Sequence, residues 1–473
     1  MQRDKGFWHS PIAYISQIRN LLQDSYLKGF PIVKELVQNA DDAEASRMDI
    51  GWTRGVPLAD HPLLEGPALF FINNGNFARE DARAIRQMGL SSKAEDPSIG
   101  KFGLGLKSIF HLCEAFFYLS SNEPSKQTFA DRFPHTDILN PWSGDEDLLL
   151  HQDWDHFSES AQKSVKALLS PFTAGHRWFC LWLPLRRRSH CDGCDPIVNE
   201  FPGDSDSPPD SIFFPGLEIQ LAQLLPMLRH LQNIRGWLPG SGDDQFREVF
   251  HVKAGDLFQR IQYTNQTPNK TWKLGGNVEI HLSGRGSMSV SFGGLEALFS
   301  NDSLERLKAS EFWPRYNSIE NGRVVSASEK AEPHCAVCFS RHPTNHKGKL
   351  SILWTVFIPV GQTERAIGCD GPYDYSVLLH GLFFLDPGRN HIEFGERTHQ
   401  GDPTDERSLR LEWNRQLANQ GTLRYLLPAL NEFVSKNNLE PKNVLALTSA
   451  LRESQLFNEH RNAICSRHQW PTV

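Results

Sequence analysis

The chain has 473 residues, 39% hydrophobic and 22% charged, a composition normal for a globular protein of two to four domains. Acidic residues outnumber basic ones, 56 against 49, for a net charge of -7, which argues against a broad nucleic-acid surface. No apolar run approaches the length of a membrane span, the N-terminus has no secretory core, and 8 cysteines are too sparse for a disulfide scaffold; a cytoplasmic setting is expected.

Residues 11–29 carry Ile12, Ile15, Ile18, Leu21 and Leu22 at helical spacing. A second helix is expected over 31–45, burying Ile32, Val33, Leu36, Val37 and Ala40. Met48, Ile50 and Trp52 then alternate with Asp49 and Gly51, the pattern of a half-buried strand. Ala68 to Ile72 is a compact apolar strand that ends on the turn signal Asn73-Asn74-Gly75. A short helix at 79–88 precedes a polar loop that runs to Gly105. Lys107–Phe117 reads as helical or passing into a strand, and a helix is expected near 158–169.

His176–Leu185 is a strand candidate, followed by Arg186-Arg187-Arg188, which reads as a solvated strand edge or a local basic patch. Residues 195–211 are acidic and rich in breakers, as in a surface loop or flexible insertion. A helix over 217–234 and a strand over 247–253 would close a first domain of residues 1–256. The second domain, 257–473, mixes strands such as Val278–Leu282 and Ser351–Pro359 with a C-terminal helix pair from about 408 to 456.

Three segments carry chemistry. On the second helix, Glu35, Asn39 and Asp42 fall at i, i+4 and i+7 and face one way. An amide carbonyl from Asn39 can ligate nucleotide-bound magnesium, and a carboxylate one turn earlier can deprotonate an attacking water. At the strand end, Asn74 and Gly75 form a tight turn from which a polar side chain can read a base edge. The third segment is Gly100-Lys101-Phe102-Gly103-Leu104-Gly105-Leu106-Lys107-Ser108. Its glycines let backbone N–H groups approach phosphates closely, the following helix start adds its dipole, and Lys101 or Lys107 can neutralise phosphate charge.

In this order and spacing the segments resemble the GHKL ATPases, which include the ninety-kilodalton heat-shock chaperone, MutL-type repair proteins, type II topoisomerases and MORC proteins. The first box, Glu-x-x-x-Asn-Ala-x-Asp-Ala, stands complete from Glu35 to Ala43. The resemblance implies Glu35 as general base, Asn39 as magnesium ligand, Gly100, Gly103 and Gly105 as the glycine box, and Lys93 as the lid lysine. Within the superfamily the chain is most similar to sacsin-type repeat modules. The similarity is carried by Ile18–Leu22, Lys34–Ala43, Ile99–His111, Phe179–Arg186, Val356–Pro359, His380–Arg389 and Glu412–Asn414.

The implied fold is a Bergerat-type two-layer α/β sandwich, helices over a mixed sheet with residues 89–105 as a lid, followed by a second α+β domain. Most GHKL proteins hold an Asp at the position matched here by Asn74, where it accepts from the adenine amino group. Asn74 therefore bears on base selectivity. The resemblance implies slow magnesium-dependent ATP hydrolysis by a chaperone-like or conformational-switch ATPase, with unknown protein partners or clients and dimerisation on ATP binding. The alternatives are a non-hydrolysing nucleotide-binding scaffold and a nucleic-acid-coupled GHKL subunit, for example in a bacterial defence complex. Arg389, in a Pro-Gly-Arg-Asn turn, is a candidate to reach the γ-phosphate or simply a turn residue.

Two CxxC pairs, Cys191/Cys194 and Cys335/Cys338, have His190 and His334 beside them. They would supply four thiolates to one structural zinc assembled by the fold, or are unrelated thiols.

Overall fold

The computed structural model describes residues 11–24, 28–57, 61–77, 105–121, 136–142, 158–175, 177–190, 195–225, 230–240, 245–254, 274–282, 286–296, 315–320, 323–329, 334–356, 358–363, 365–385, 391–394 and 406–466, with a few single residues besides. They fall into two compact units that part at His251 and Val252, residues 219–229 grouping with the second. No helix among the described residues is long and apolar enough to cross a membrane.

The first unit opens with α1 (Pro11–Asp24) and α2 (Phe30–Asp42). Pro31 suits the first turn of α2, where its missing N–H costs nothing, and Gly29, at φ 102, supplies the left-handed entry. The strands are β1 (Arg47–Thr53), β2 (Ala68–Asn73), β3 (Phe116–Ser120), β4 (Thr136–Leu139), β5 (Phe179–Pro184), β6 (Asn233–Pro239) and β7 (Phe246–Ala254). Their order is β7-β6-β1-β2-β5-β3-β4. β1 runs antiparallel to β2 and parallel to β6, so the sheet is mixed.

Alternation along the strands divides two faces. Phe70, Ile72, Phe117, Leu119, Cys180 and Trp182 form one face and pack on α3 (Pro62–Glu65), on Phe172 and on α4 (Glu159–Leu169), through Val165 and Leu168. The opposite face carries Phe116, against whose ring Phe110 of a 3₁₀ helix (Gly105–His111) packs edge-on at 5.9 Å. That 3₁₀ helix in turn packs on α1 and α2. Helices therefore cover both faces, where a two-layer arrangement was expected.

The structure bears on three further expectations. Residues 195–211 form an irregular, largely exposed loop whose start is held: Arg19 donates to the Asp195 and Pro196 carbonyls at 2.8 and 2.7 Å, and Ile197 is buried. The helix expected over 217–234 is α5 (Leu217–Leu224) only, and its C-terminal part contributes to β6. Pro226 restricts its predecessor and cannot donate to a helical ladder. The helix expected at 79–88 lies largely outside the described residues, as does the 89–104 lid.

The second unit is also mixed. Beyond the end of β7, its sheet runs β8 (Leu274–Leu282), β9 (Gly286–Glu296), β12 (His334–Pro343), β16 (Tyr373–Gly381), β13 (Lys349–Val356) and β14 (Ile358–Thr363), with β15 (Ile367–Gly368) paired to β13. A separate hairpin joins β10 (Arg315–Glu320) and β11 (Arg323–Glu329). The expected 351–359 strand thus splits into β13 and β14.

In place of the expected helix pair there are α6 (Glu406–Leu417), α7 (Leu423–Lys436), α8 (Pro441–Glu453) and α9 (Gln455–Ile464), with a π turn at Ala418–Thr422. Val337, Phe339, Leu379, Trp413, Leu427 and Phe433 are part of one core shared by sheet and helices. Asn414 clamps the chain after β16: its Oδ1 accepts from Phe384 N–H at 2.7 Å, and its Nδ2 donates to the Phe384 and Glu393 carbonyls.

Candidate functional site

The α2 spacing places its polar residues as expected. Glu35 is buried, Asp42 half-buried and Asn39 exposed one turn beyond Glu35. Asp41 faces elsewhere, accepting the N–H groups of His230 and Leu231 at 2.7 and 2.8 Å and so tying the end of α2 to the chain before β6.

Gly105 begins the 3₁₀ helix directly against Glu35. A Cβ on Gly105 would lie 2.0 Å from Glu35 Oε2 and 2.7 Å from its Cδ. The end of the glycine-rich segment and the carboxylate of the first box are thus in contact, and only glycine leaves room for both. Two residues on, Lys107 is 3% exposed and has no carboxylate partner among the described residues. Burial pushes its ammonium from the ordinary 10.5 down to about 8. Ser108 donates its hydroxyl to the Gly105 carbonyl at 2.7 Å, locking the turn rather than facing outward. Lys93, Gly100, Lys101, Phe102, Gly103 and Leu104 lie outside the described residues.

In the β2 turn the Asn74 side chain is engaged within the protein: its Oδ1 accepts the N–H groups of Ser46 and Arg47, both at 2.9 Å, and its Nδ2 donates to Ser46 Oγ at 2.9 Å. Its side chain is spent joining the start of β1 to the end of β2. Gly75 is required for packing, because a Cβ there would lie 2.6 Å from the Ala43 carbonyl at the end of α2. The Asn76 N–H donates to that same carbonyl at 2.7 Å.

Asn73 was overlooked. It pairs across the sheet with Met48 and Phe179, on the face that α4 does not cover. Phe179 stacks with Phe77 at 4.7 Å and with Tyr118 at 5.8 Å on that face. Strand alternation, counted from the α4-facing Phe70 and Ile72, was the available signal.

Arg186 and Glu114 were also missed as positioning residues. Arg186 is fully buried rather than a solvated edge. Its guanidinium pairs with Glu114 and donates to the carbonyls of Phe110 at 2.5 Å, His111 at 3.1 Å and Cys113 at 2.9 Å. Glu114 also accepts from Trp142 Nε1 at 2.7 Å and Ile197 N–H at 3.0 Å. The pair caps the C-terminal end of the 3₁₀ helix whose first residue abuts Glu35.

The zinc expectation does not survive the geometry of β12. Cys335 and Cys338 lie three residues apart in a strand of unbroken register, so their side chains point to opposite faces and do not form a chelating CxxC step. Cys335 belongs to the core beneath the C-terminal helices. Cys191 and Cys194 lie outside the described residues. Arg389 is outside them too.

The fold and the apposition of α2, the β2 turn and Gly105 define a mixed α/β module. Residues 12–173, which include α2, the β2 turn and Gly105, match the family model described as the Sacsin domain. Over 141 residues the chain is 30% identical to human sacsin, a stretch that covers 28% of this chain. The stretch spans 3% of the length of sacsin. The findings support a sacsin-type module in this part of the chain.

Proposed function

We propose that the first unit is a Bergerat-type ATP site of the GHKL kind, and that the protein is a slow, magnesium-dependent ATPase working as a conformational switch. The observation that carries this reading is the contact between Gly105 and the buried Glu35 carboxylate. It brings the end of the glycine-rich segment onto the acidic face of α2, as phosphate hydrolysis requires. In this reading Glu35 accepts a proton from water as the water oxygen bonds to the γ-phosphorus and the bond to the β-phosphate oxygen breaks. Lys107 holds positive charge beside the phosphates, and backbone N–H groups around Gly105 donate to them.

The oxygen donors suit magnesium: Asn39 is exposed one turn from Glu35, and a nucleotide-bound magnesium needs few protein ligands. When bound, the ion would neutralise phosphate charge. The side chain of Asn74 is taken up by Ser46 and Arg47, so its departure from Asp does not count against nucleotide binding.

The deciding experiment is ATP binding and turnover by wild type beside Glu35→Ala, with and without magnesium. A hydrolysing switch binds ATP in both forms and turns it over only with Glu35 and magnesium. Equal phosphate release by the variant would remove Glu35 from the mechanism, and absence of binding in wild type would remove the ATP site altogether.

A further inference from the structure

We propose that Arg47 and Arg235, both held on the buried Asp49, form a binding site for a phosphate monoester on the α4 side of the first sheet. The site is separate from the proposed nucleotide-binding residues, which stand on α2 and the 3₁₀ helix across the sheet.

β1 and β6 run parallel, and their register sets Asp49 beside Arg235. Asp49 is fully buried. Its Oδ1 accepts from Arg235 Nε at 2.7 Å and from Trp237 Nε1 at 2.9 Å, while its Oδ2 stands 3.2 Å from Arg47 Nε. Strand alternation puts Arg47, Asp49, Arg235 and Trp237 on one face. The Trp237 ring packs edge-on against Phe172 at 5.2 Å, which identifies that face as the one α4 covers in part.

Each guanidinium is also fixed at a second point. Arg47 Nη2 donates to the Phe172 carbonyl at 2.8 Å, and Arg235 lies over the Trp237 ring at 5.0 Å. Both terminal nitrogens of Arg235 and Nη1 of Arg47 then remain without a partner among the described residues. They are within reach of a ligand, because the two side chains are 23% and 29% exposed.

One carboxylate neutralises one guanidinium, so the cluster keeps an excess positive charge that is half-buried and held rigid. A tie between two strands needs a single arginine. The second, with its amino groups turned away from Asp49, is explained by an anion that completes the cluster. A carboxylate brings two oxygens to these donors and a phosphate monoester three, in the geometry that guanidinium forks match. Side chains already fixed lose little freedom on binding.

The test is calorimetric titration of the full chain with inorganic phosphate, a short phosphoserine peptide, and the same peptide with glutamate at that position. Wild type should bind both phosphate probes, and the phosphopeptide more tightly than the glutamate peptide. Arg235→Lys keeps a cation on Asp49 but has no fork, and should weaken phosphate binding by about tenfold or more. Arg235→Gln combined with Asp49→Asn removes the fork without stranding a buried charge. A melting curve checks its fold, and it should bind neither phosphate probe.

A phosphopeptide that binds more tightly than inorganic phosphate supports the site and assigns it to a phosphorylated protein. Inorganic phosphate that binds at least as tightly supports it and assigns it to a small phosphate ligand. Absence of phosphate binding in wild type, equal binding of the glutamate peptide, or undiminished binding in the double variant would each overturn the site. None of these failures touches the ATP reading, which rests on Glu35.

Discussion

Replacing Gly105 by alanine puts one methyl group where the carboxylate of Glu35 now lies. Gly105 does not have a left-handed φ, so alanine meets no backbone penalty and the whole effect is the collision. The new Cβ would be 2.0 Å from Oε2, and ordinary contact begins at 3.4 Å, so the oxygen must retreat by roughly 1.4 Å. Oε2 ends a flexible side chain, and swinging it off its rotamer costs about 0.5–1.5 kcal/mol. For a unit of this size that lowers Tm by roughly 1–6 °C.

The functional cost is larger, because a catalytic group misplaced by about 1 Å loses about 100-fold in rate. Gly105→Ala should therefore melt a few degrees low, bind ATP nearly as wild type does and hydrolyse it about 100-fold more slowly. The assay is scanning calorimetry with steady-state phosphate release, run beside Glu35→Ala and the double variant. Removing the carboxylate makes room for the methyl, so the double variant should melt where Glu35→Ala does. Unchanged turnover in Gly105→Ala, or Tm losses that simply add in the double variant, would refute the contact as the basis of the site.

Arg186→Met leaves Glu114 without its cation and the carbonyls of Phe110, His111 and Cys113 without their donor. Urea denaturation should show a loss of about 3–5 kcal/mol, partly recovered in Arg186→Met with Glu114→Gln. Lys107, held down at about 8 against its ordinary 10.5, gives the fold a pH dependence of known sign. Above pH 8 the folded protein sheds this proton while the unfolded chain keeps it, so stability rises up to about pH 10.5, by something on the order of 3 kcal/mol. Denaturation curves from pH 7 to 10 should show that rise in wild type and lose it in Lys107→Met.

The elements around the pocket were legible because their patterns were unambiguous. The stripe on α2, the alternation in β1 and the apolar runs of β2 and β5 all settle near their expected bounds, and Glu35, Asn39 and Asp42 share a face because helical spacing dictates it. What failed needed knowledge of a face or a partner. Two adjacent asparagines at a strand end look equivalent in a sequence. They become a residue on the α2 side of the sheet and a turn tie only once the sheet has a covered side, set by Phe70 and Ile72 packing toward α4.

Arg186 looked like the first of three solvated arginines because nothing local announces its partner, the half-buried Glu114, some seventy residues earlier. Cys335 and Cys338 looked like a chelate because strand β12 was not foreseen, and its parity decides against them. The 217–234 stretch read as one helix because its leucines are dense enough to hide the change of period after Pro226. The C-terminal helices are four because of breaks at the π turn Ala418–Thr422, at Asn438, with φ 45, and at Ser454, which caps the helix that follows it.

The pairing order of the first sheet has a consequence for anyone cutting this chain. β5 lies between β2 and β3, bonded to both, yet it begins at Phe179, after the matched region ends at residue 173. A fragment trimmed to the matched residues would open the sheet down its middle and leave two unprotected strand edges, the condition that invites chains to pair with one another. β1 likewise waits for β6, so during synthesis its free edge stays bare until the ribosome has released Pro239. The shortest fragment expected to remain soluble therefore extends well past the region that sequence similarity marks out.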